Sequence, residues 1–152
     1  MQQLVDTMLP TNILVPTDFS EPADRALAYA VELASKLGAR IHVVHVIGIP
    51  ALGVPELGVA MTSATIESVI RDDQATLDRV VDKYRGVATF GEVMLRTGDV
   101  RDMIRQAADE VHADLITIGT HGRRGLSHVL LGSVAEAIVR TARCPVLTVH
   151  AR

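Results

Sequence analysis

The chain has 152 residues, of which 48% are hydrophobic and 3% aromatic, so one domain with an aliphatic core is expected. Such a core suits a parallel sheet covered by helices. The net charge of -3 argues against a general nucleic-acid binder, and no apolar run is long enough to cross a bilayer. The single cysteine excludes an internal disulfide and fits a cytoplasmic location, and the first residues do not resemble a signal peptide.

Strands and helices alternate along the chain. Apolar runs predict five strands at residues 12–16, 40–47, 87–96, 114–119 and 145–150. Helical spacing predicts a helix that Ser20 caps and Gly38 ends, a second at 63–84, a third that Asp99 caps and a fourth at 133–143. Between the second strand and second helix, the long Gly48–Thr62 stretch is rich in Gly, Pro and apolar residues, which favours a lid or a partner surface.

This alternation predicts an α/β fold: a doubly wound, five-stranded parallel sheet with strand order 3-2-1-4-5 and helices on both faces. We expect a single domain over residues 1–152. Doubly wound sheets bind ligands at the carboxyl ends of the strands, where the strand order reverses. That point lies between the first and fourth strands, whose following loops carry Asp18 and Gly119. Both loops therefore border one predicted crevice.

The clearest motif follows the fourth strand. It reads Gly119-Thr120-His121-Gly122, then nine residues, then Gly132-Ser133 at the start of a helix. Glycines let the backbone approach an anion, and the helix N-terminus supplies free amides and the positive end of a dipole. The guanidinium groups of Arg123 and Arg124 have a geometry that suits phosphate binding. For either residue alone, a solvated charge in the loop is an equally good interpretation. Neither a P-loop nor a dinucleotide-binding Gly-x-Gly-x2-Gly pattern is present.

Structural interpretations stay open for several of these residues. Asp18 could cap a turn, and Ser133 could be the N-cap of the fourth helix, a role compatible with phosphate contact. Cys144 precedes a proline and a core strand, so a buried, inert thiol is expected. The six histidines show no metal-ligand spacing, and no catalytic grouping stands out, so we predict neither a metal site nor a catalytic residue.

The glycine motif and Pro16-Thr17-Asp18-Phe19-Ser20 resemble the ATP-binding branch of the universal stress protein family. His45-Val46 and Cys144-Pro145-Val146-Leu147 are also similar to its sequences, whereas Gly98-Asp99-Val100 replaces a frequent Gly-x-Pro. The resemblance covers nearly the whole chain. It implies a Rossmann-like fold related to the adenine nucleotide alpha hydrolases.

The resemblance also implies a ligand and its binding residues. Asp18 would accept hydrogen bonds from the ribose hydroxyls or the adenine edge, and Ile41 or its neighbours would contact adenine. The glycine motif would hold the ribose and phosphates. The implied binding residues are Pro16, Thr17, Asp18, Ile41, Gly119, Thr120, His121, Gly122, Arg123, Arg124, Gly132, Ser133 and Val134. The ligand would be ATP, or AMP or ADP, with Mg²⁺ or Mn²⁺ on the phosphates.

A homodimer through strand 5, at Val146, Leu147 and Val149, is implied as well, and an apolar sheet edge invites such pairing. A monomer with a covered edge is the alternative. The expected function is a nucleotide-responsive stress regulator with slow or no hydrolysis, because no residue is identified that would position water. Two alternatives are a nucleotide-independent interaction module and an ATP pyrophosphatase-type enzyme. The enzyme is disfavoured because its Ser-Gly-Gly-x-Asp-Ser segment is missing after the first strand.

Overall fold

A computed structural model of the protein describes residues 9–48, 62–120 and 131–150. In these ranges the strands are β1 (Asn12–Thr17), β2 (Arg40–Gly48), β3 (Thr89–Gly98), β4 (Leu115–Gly119) and β5 (Val146–Val149). The helices are α1 (Glu21–Leu37), α2 (Ser63–Asp82), α3 (Val100–Glu110) and α4 (Ser133–Thr141). The predicted order of elements is confirmed. None of the described helices is both long and apolar enough to cross a membrane.

The largest difference from the predicted bounds lies between α2 and β3. Helix α2 ends at Asp82 rather than Tyr84, and β3 runs from Thr89 to Gly98 rather than from Val87 to Arg96. The Tyr84 carbonyl accepts hydrogen bonds from the amides of Val87 and Ala88, at 2.9 and 3.2 Å. Because the amides of Val87 and Ala88 are used in this turn, they are not available to pair with a neighbouring strand, and β3 begins only at Thr89.

The five strands form one parallel sheet in the order β3-β2-β1-β4-β5, as predicted. Helices α1 and α2 cover one face around Leu27, Val31 and Leu77, and helices α3 and α4 cover the other around Ile104 and Ile138. All of these side chains are at most 3% exposed. Helices therefore lie on both faces of a sheet whose core is aliphatic.

Local signals in the sequence set the ends of α1. The Ser20 hydroxyl accepts a hydrogen bond from the Ala23 amide at 3.4 Å, and Pro22 lies in the first turn, where its missing N–H costs nothing. Gly38 ends the helix with a φ of 70°, a conformation that favours glycine. Since α1 runs antiparallel to the strands, the end that Ser20 caps lies at the carboxyl edge of the sheet, and the end at Gly38 lies at the amino edge.

At the amino edge of the sheet, Asp114 joins β1 to β4. Its carboxylate accepts hydrogen bonds from the amides of Thr11 and Asn12 and, at 2.7 Å, from the Thr11 hydroxyl. Burial by itself would raise the pKa of this carboxyl, but the hydrogen bonds from Thr11 and Asn12 outweigh it and leave the pKa below its usual value. The two strands are thus held together at the end opposite the predicted crevice.

Candidate functional site

Pro16 ends the pairing of β1 with β4 beside the predicted crevice. The two strands are paired only at Ile13–Leu115 and Leu14–Ile116, although β4 continues to Gly119. Proline has no N–H to donate, so it cannot extend the ladder toward β4. On its other side, β1 stays paired with β2 as far as Thr17. The pairing of the two central strands therefore stops short of their carboxyl ends, which is where the strand order reverses.

A tight turn at residues 17–20 borders this crevice. The Thr17 hydroxyl accepts from the Phe19 amide at 3.1 Å, and the Asp18 carboxylate accepts from the Ser20 amide at 3.0 Å and from the Ser20 hydroxyl. Such side-chain bonds to the backbone two residues onward favour a turn over a strand. Asp18 thus has the turn role considered from the sequence, and its carboxylate lies in the loop after β1.

Beneath this turn lies His45 of β2, a side chain that sequence reasoning missed as part of the site. Its Nδ1 is 2.7 Å from the Thr17 carbonyl oxygen, its Nε2 is 3.1 Å from Asp73 Oδ2 on α2, and its ring centroid is 4.2 Å from that of Phe19. His45 is only 7% exposed. The signal available in the sequence was a histidine in the carboxyl-terminal half of a largely apolar strand.

Gly119 permits helix α1 to pack closely on the end of β4. A Cβ atom at this position would lie 2.7 Å from the Pro22 carbonyl oxygen and 2.9 Å from the Ala23 nitrogen. Backbone atoms cannot move aside cheaply, so any side chain here would displace the first turn of α1. The glycine is therefore explained by packing, in addition to the phosphate contact that the motif predicts.

The base of the glycine-motif loop is closed by the backbone. The Gly132 amide donates to the Thr120 carbonyl, and the Thr120 amide donates to the Val149 carbonyl at 3.0 Å. Thr120 is fully buried. These bonds place the beginning of α4, the end of β4 and the end of β5 next to one another.

The N-cap residue of α4 does not cap the helix with a side chain. This residue is Gly132, which has no side-chain oxygen to offer, whereas Ser20, Thr62 and Asp99 cap α1, α2 and α3 through their side chains. Ser133 is the first helical residue, as the predicted bound has it, and the alternative that Ser133 is itself the N-cap does not hold. The opening amides of α4 are the groups that an anion would satisfy.

Most of the described residues among the predicted binding set lie at one edge of the sheet. They are Pro16, Thr17, Asp18, Gly119, Thr120, Gly132, Ser133 and Val134. Ile41 is the exception, because it is fully buried near the amino end of β2, paired with Ile13 and Phe90. Its assignment to adenine is wrong, and the residues of β2 at the correct edge are Val46 to Gly48. His121, Gly122, Arg123 and Arg124 lie outside the described residues.

Two further expectations concern cysteine and metal. Cys144 is half-buried rather than fully buried, and burial raises the pKa of its thiol, which keeps it protonated. Within residues 9–48, 62–120 and 131–150, no group of three or more His, Cys, Asp or Glu side chains could hold a metal ion.

The chain was compared with known proteins. The model of the Universal stress protein family matches residues 10–150. Universal stress protein MJ0531 from Methanocaldococcus jannaschii is 31% identical over 143 residues, which cover 90% of this chain and 80% of that protein.

Solved structures have the same fold. Hypothetical protein MJ0577 matches with a TM-score of 0.82 and 25% identity over 95% of this chain and 98% of its own. The universal stress protein from Archaeoglobus fulgidus in complex with dAMP matches with a TM-score of 0.65 and 28% identity over 93% of this chain and 98% of its own. The family model, the relative from Methanocaldococcus jannaschii and the solved structures all match nearly the whole length of the chain. The chain therefore belongs to the universal stress protein family.

Proposed function

We propose that this protein binds an adenine nucleotide, ATP or AMP or ADP, in the crevice between β1 and β4 and acts as a homodimeric, nucleotide-responsive stress regulator. The observation that carries the proposal is the start of α4, where Gly132 leaves the first amides without a side-chain cap beside the crevice. A positive helix end with free amides is complementary to phosphate. The relative from Archaeoglobus fulgidus solved with dAMP supports the adenine nucleotide class.

In this proposal the nucleotide lies between two loops. The Asp18 carboxylate, held in the turn after β1, accepts hydrogen bonds from the ribose hydroxyls or the adenine edge, and the α4 amides with the Ser133 hydroxyl bind phosphate. The edge of adenine contacts the carboxyl end of β2 around Val46 rather than Ile41. If Mg²⁺ or Mn²⁺ accompanies the phosphates, its ligands are phosphate oxygens and water, since that is how such ions usually bind with nucleotides.

Hydrolysis is proposed to be slow or absent. Water attack on a phosphoryl group needs a side chain that orients the nucleophile and groups that stabilise the developing charge. Asp18 bonds the amide and hydroxyl of Ser20, and His45 is buried against Thr17 and Asp73. Both side chains make these hydrogen bonds within or beside the turn, which supports assigning neither of them to the activation of water.

The dimer is proposed to form through β5. This strand is at the edge of the sheet, and the side chains of its four residues are only half-buried. Because the Thr120 amide donates to the Val149 carbonyl, the loop that would hold phosphate is bonded directly to the proposed interface strand. Nucleotide binding and dimer contacts would then influence each other. We also propose a cytoplasmic location, where ATP is abundant and a single cysteine stays reduced.

The first experiment is to denature the purified protein, analyse the supernatant by anion-exchange chromatography for released nucleotide, and titrate the emptied protein with ATP, ADP and AMP. Released adenine nucleotide, or binding at micromolar concentration, supports the proposal. No release and no binding at millimolar ATP favours a nucleotide-independent interaction module of the same fold. The packing of Gly119 against α1 is the observation that favours this alternative, since that glycine is required even without a ligand.

A further inference from the structure

His45 is a buried side chain with three contacts, two of them with the turn after β1 and the third with Asp73 of α2. We propose that it is a positioning residue, which holds residues 17–20 in the conformation that presents Asp18 to the ligand, and that Asp73 of α2 orients its ring. The ligand part of this inference rests on the proposed nucleotide binding. The positioning part concerns the turn itself and is measurable without a ligand.

The first step is the bond from His45 to Thr17. The distance from Nδ1 to the Thr17 carbonyl oxygen is 2.7 Å, and a carbonyl can only accept, so Nδ1 donates. Thr17 is the last residue of β1 and is paired with His45 in the sheet register. The bond therefore fixes the peptide group that leads directly into Asp18.

The second step is the bond from His45 to Asp73. The distance from Nε2 to Asp73 Oδ2 is 3.1 Å, and the Asp73 side chain is 28% exposed. This contact ties the middle of α2 to the carboxyl edge of the sheet across 28 residues of sequence. A carboxylate, like a carbonyl, can only accept, so Nε2 donates to Asp73, and the two bonds are made together when each ring nitrogen carries a proton. With both ring nitrogens anchored in this way, the imidazole cannot rotate away from Thr17. Asp73 thus acts on the turn through the orientation of the ring.

The third step is the support of Phe19. This residue has a φ of 62°, which is uncommon for a bulky side chain and persists only when the surroundings hold it. The His45 ring supplies such a hold, because its centroid is 4.2 Å from the Phe19 ring with an interplanar angle of 31°. One side chain therefore contacts the turn both before and after Asp18.

His42 shows what a buried histidine without this role looks like. It lies near the amino end of the same strand, where its Nδ1 accepts from the Glu92 amide at 2.9 Å and its Nε2 is 3.3 Å from Asn12 Oδ1. None of these groups borders the crevice. His42 and His45 are similarly buried, at 5% and 7% exposure. Making the same substitution at each position therefore distinguishes the general effect of losing a buried histidine from a specific effect on the turn.

The test compares His45→Asn, His45→Phe and the control His42→Phe. Asparagine places an amide nitrogen where Nδ1 lies, so it keeps the donor to Thr17, whereas phenylalanine keeps a ring and removes both hydrogen bonds. Amide hydrogen exchange of Phe19 and Ser20 is measured without ligand and referenced to amides of α3. For His45→Phe we expect these two rates to rise about tenfold relative to the reference, and for His45→Asn, which keeps the bond to Thr17 but loses the contacts with Asp73 and Phe19, we expect a smaller rise. Asp73→Ala should raise them by a smaller factor.

Adenine nucleotide affinity is measured on the same proteins by isothermal titration with ATP. We expect about tenfold weaker binding for His45→Phe, a smaller loss for His45→Asn, and near-normal binding for His42→Phe. Turn exchange that is no faster in His45→Phe than in His42→Phe would overturn the positioning role. Unchanged rates in Asp73→Ala would remove Asp73 from it. Absence of ATP binding by the unmutated protein would instead overturn the proposed function, while the exchange rates still decide the role of His45.

Discussion

The imidazole of His42 occupies the space that a side chain at position 91 would need. A Cβ atom placed on Gly91 would lie 2.7 Å from His42 Nδ1 and would also collide with Cε1 of the same ring. The ring is held there by the amide of Glu92, which donates to Nδ1 at 2.9 Å. The β2–β3 register shifts at this point, between Ile41 and Val43. Gly91 and His42 therefore form one irregularity in the sheet, with the ring filling the gap.

Gly91→Ala should destabilise the protein by about 2 kcal/mol, because the added methyl group forces the buried ring of His42 out of its position. The free energy of unfolding from urea denaturation is the measurement. Gly86→Ala is the matched control, since a Cβ atom there meets no atom within 4 Å, and its effect should be small. Equal stability of the two variants would contradict the packing of Gly91 against His42.

Acidification should weaken the fold through His42. Its Nδ1 accepts the Glu92 amide and so must be unprotonated, and burial lowers its pKa from 6.5, with Arg40 lowering it further and Glu92 opposing. The folded-state pKa is thus below the unfolded value. As pH falls from about 6.5 through the folded pKa, the unfolded chain takes up the proton first, and the free energy of unfolding decreases. The contribution is fully present above that range.

Urea denaturation at a series of pH values measures this decrease. His42→Asn is the control, because its side-chain oxygen can still accept the Glu92 amide but does not titrate. The slope of unfolding free energy against pH between about 6.5 and the folded pKa should be smaller in this variant than in the unmutated protein. Identical slopes would show that His42 does not govern the response.

Gly132→Val should reduce ATP affinity at least about tenfold, roughly 1.4 kcal/mol, because a branched side chain would occupy the place where phosphate approaches the α4 amides. The backbone tolerates the change, since Gly132 has a φ of -59°. Isothermal titration gives the affinity, and circular dichroism reports whether the fold is kept. The matched control is Gly86→Val, which lies away from the crevice in the turn after α2. Equal affinity in the two variants would remove Gly132 from the binding site.

Thr117→Val should stabilise the protein by about 1 kcal/mol. Thr117 lies in the middle of β4 and is fully buried, and its hydroxyl has no hydrogen-bond partner among the residues that the structure describes. Valine has nearly the same shape without the desolvated hydroxyl, so both the packing and the strand are retained. The midpoint of thermal unfolding checks the prediction, and a lower midpoint would indicate that the hydroxyl makes a bond in solution.

Local sequence patterns were enough to predict the strands and helices and their order along the chain. Alternating apolar runs and helical spacings gave the element order, because period and capping depend on residues close in the chain. Ser20, Gly38 and Asp99 have the capping roles that their positions indicate. The order of the strands then followed from general rules on parallel sheets, which limit the topologies available. Pro16 also acts locally, because its missing N–H ends the pairing with β4.

The tertiary structure decided which side chains meet at the crevice. Ile41 is on the predicted strand but near its amino end, so the register with Ile13 removes it from the site. His45 meets Thr17 across 28 residues, and His42 meets Glu92 across 50. Gly119 is explained by the backbone of α1 as well as by its motif. The sequence alone determines elements through local periodicity and capping, whereas these contacts join residues far apart in the chain and depend on strand register and helix placement.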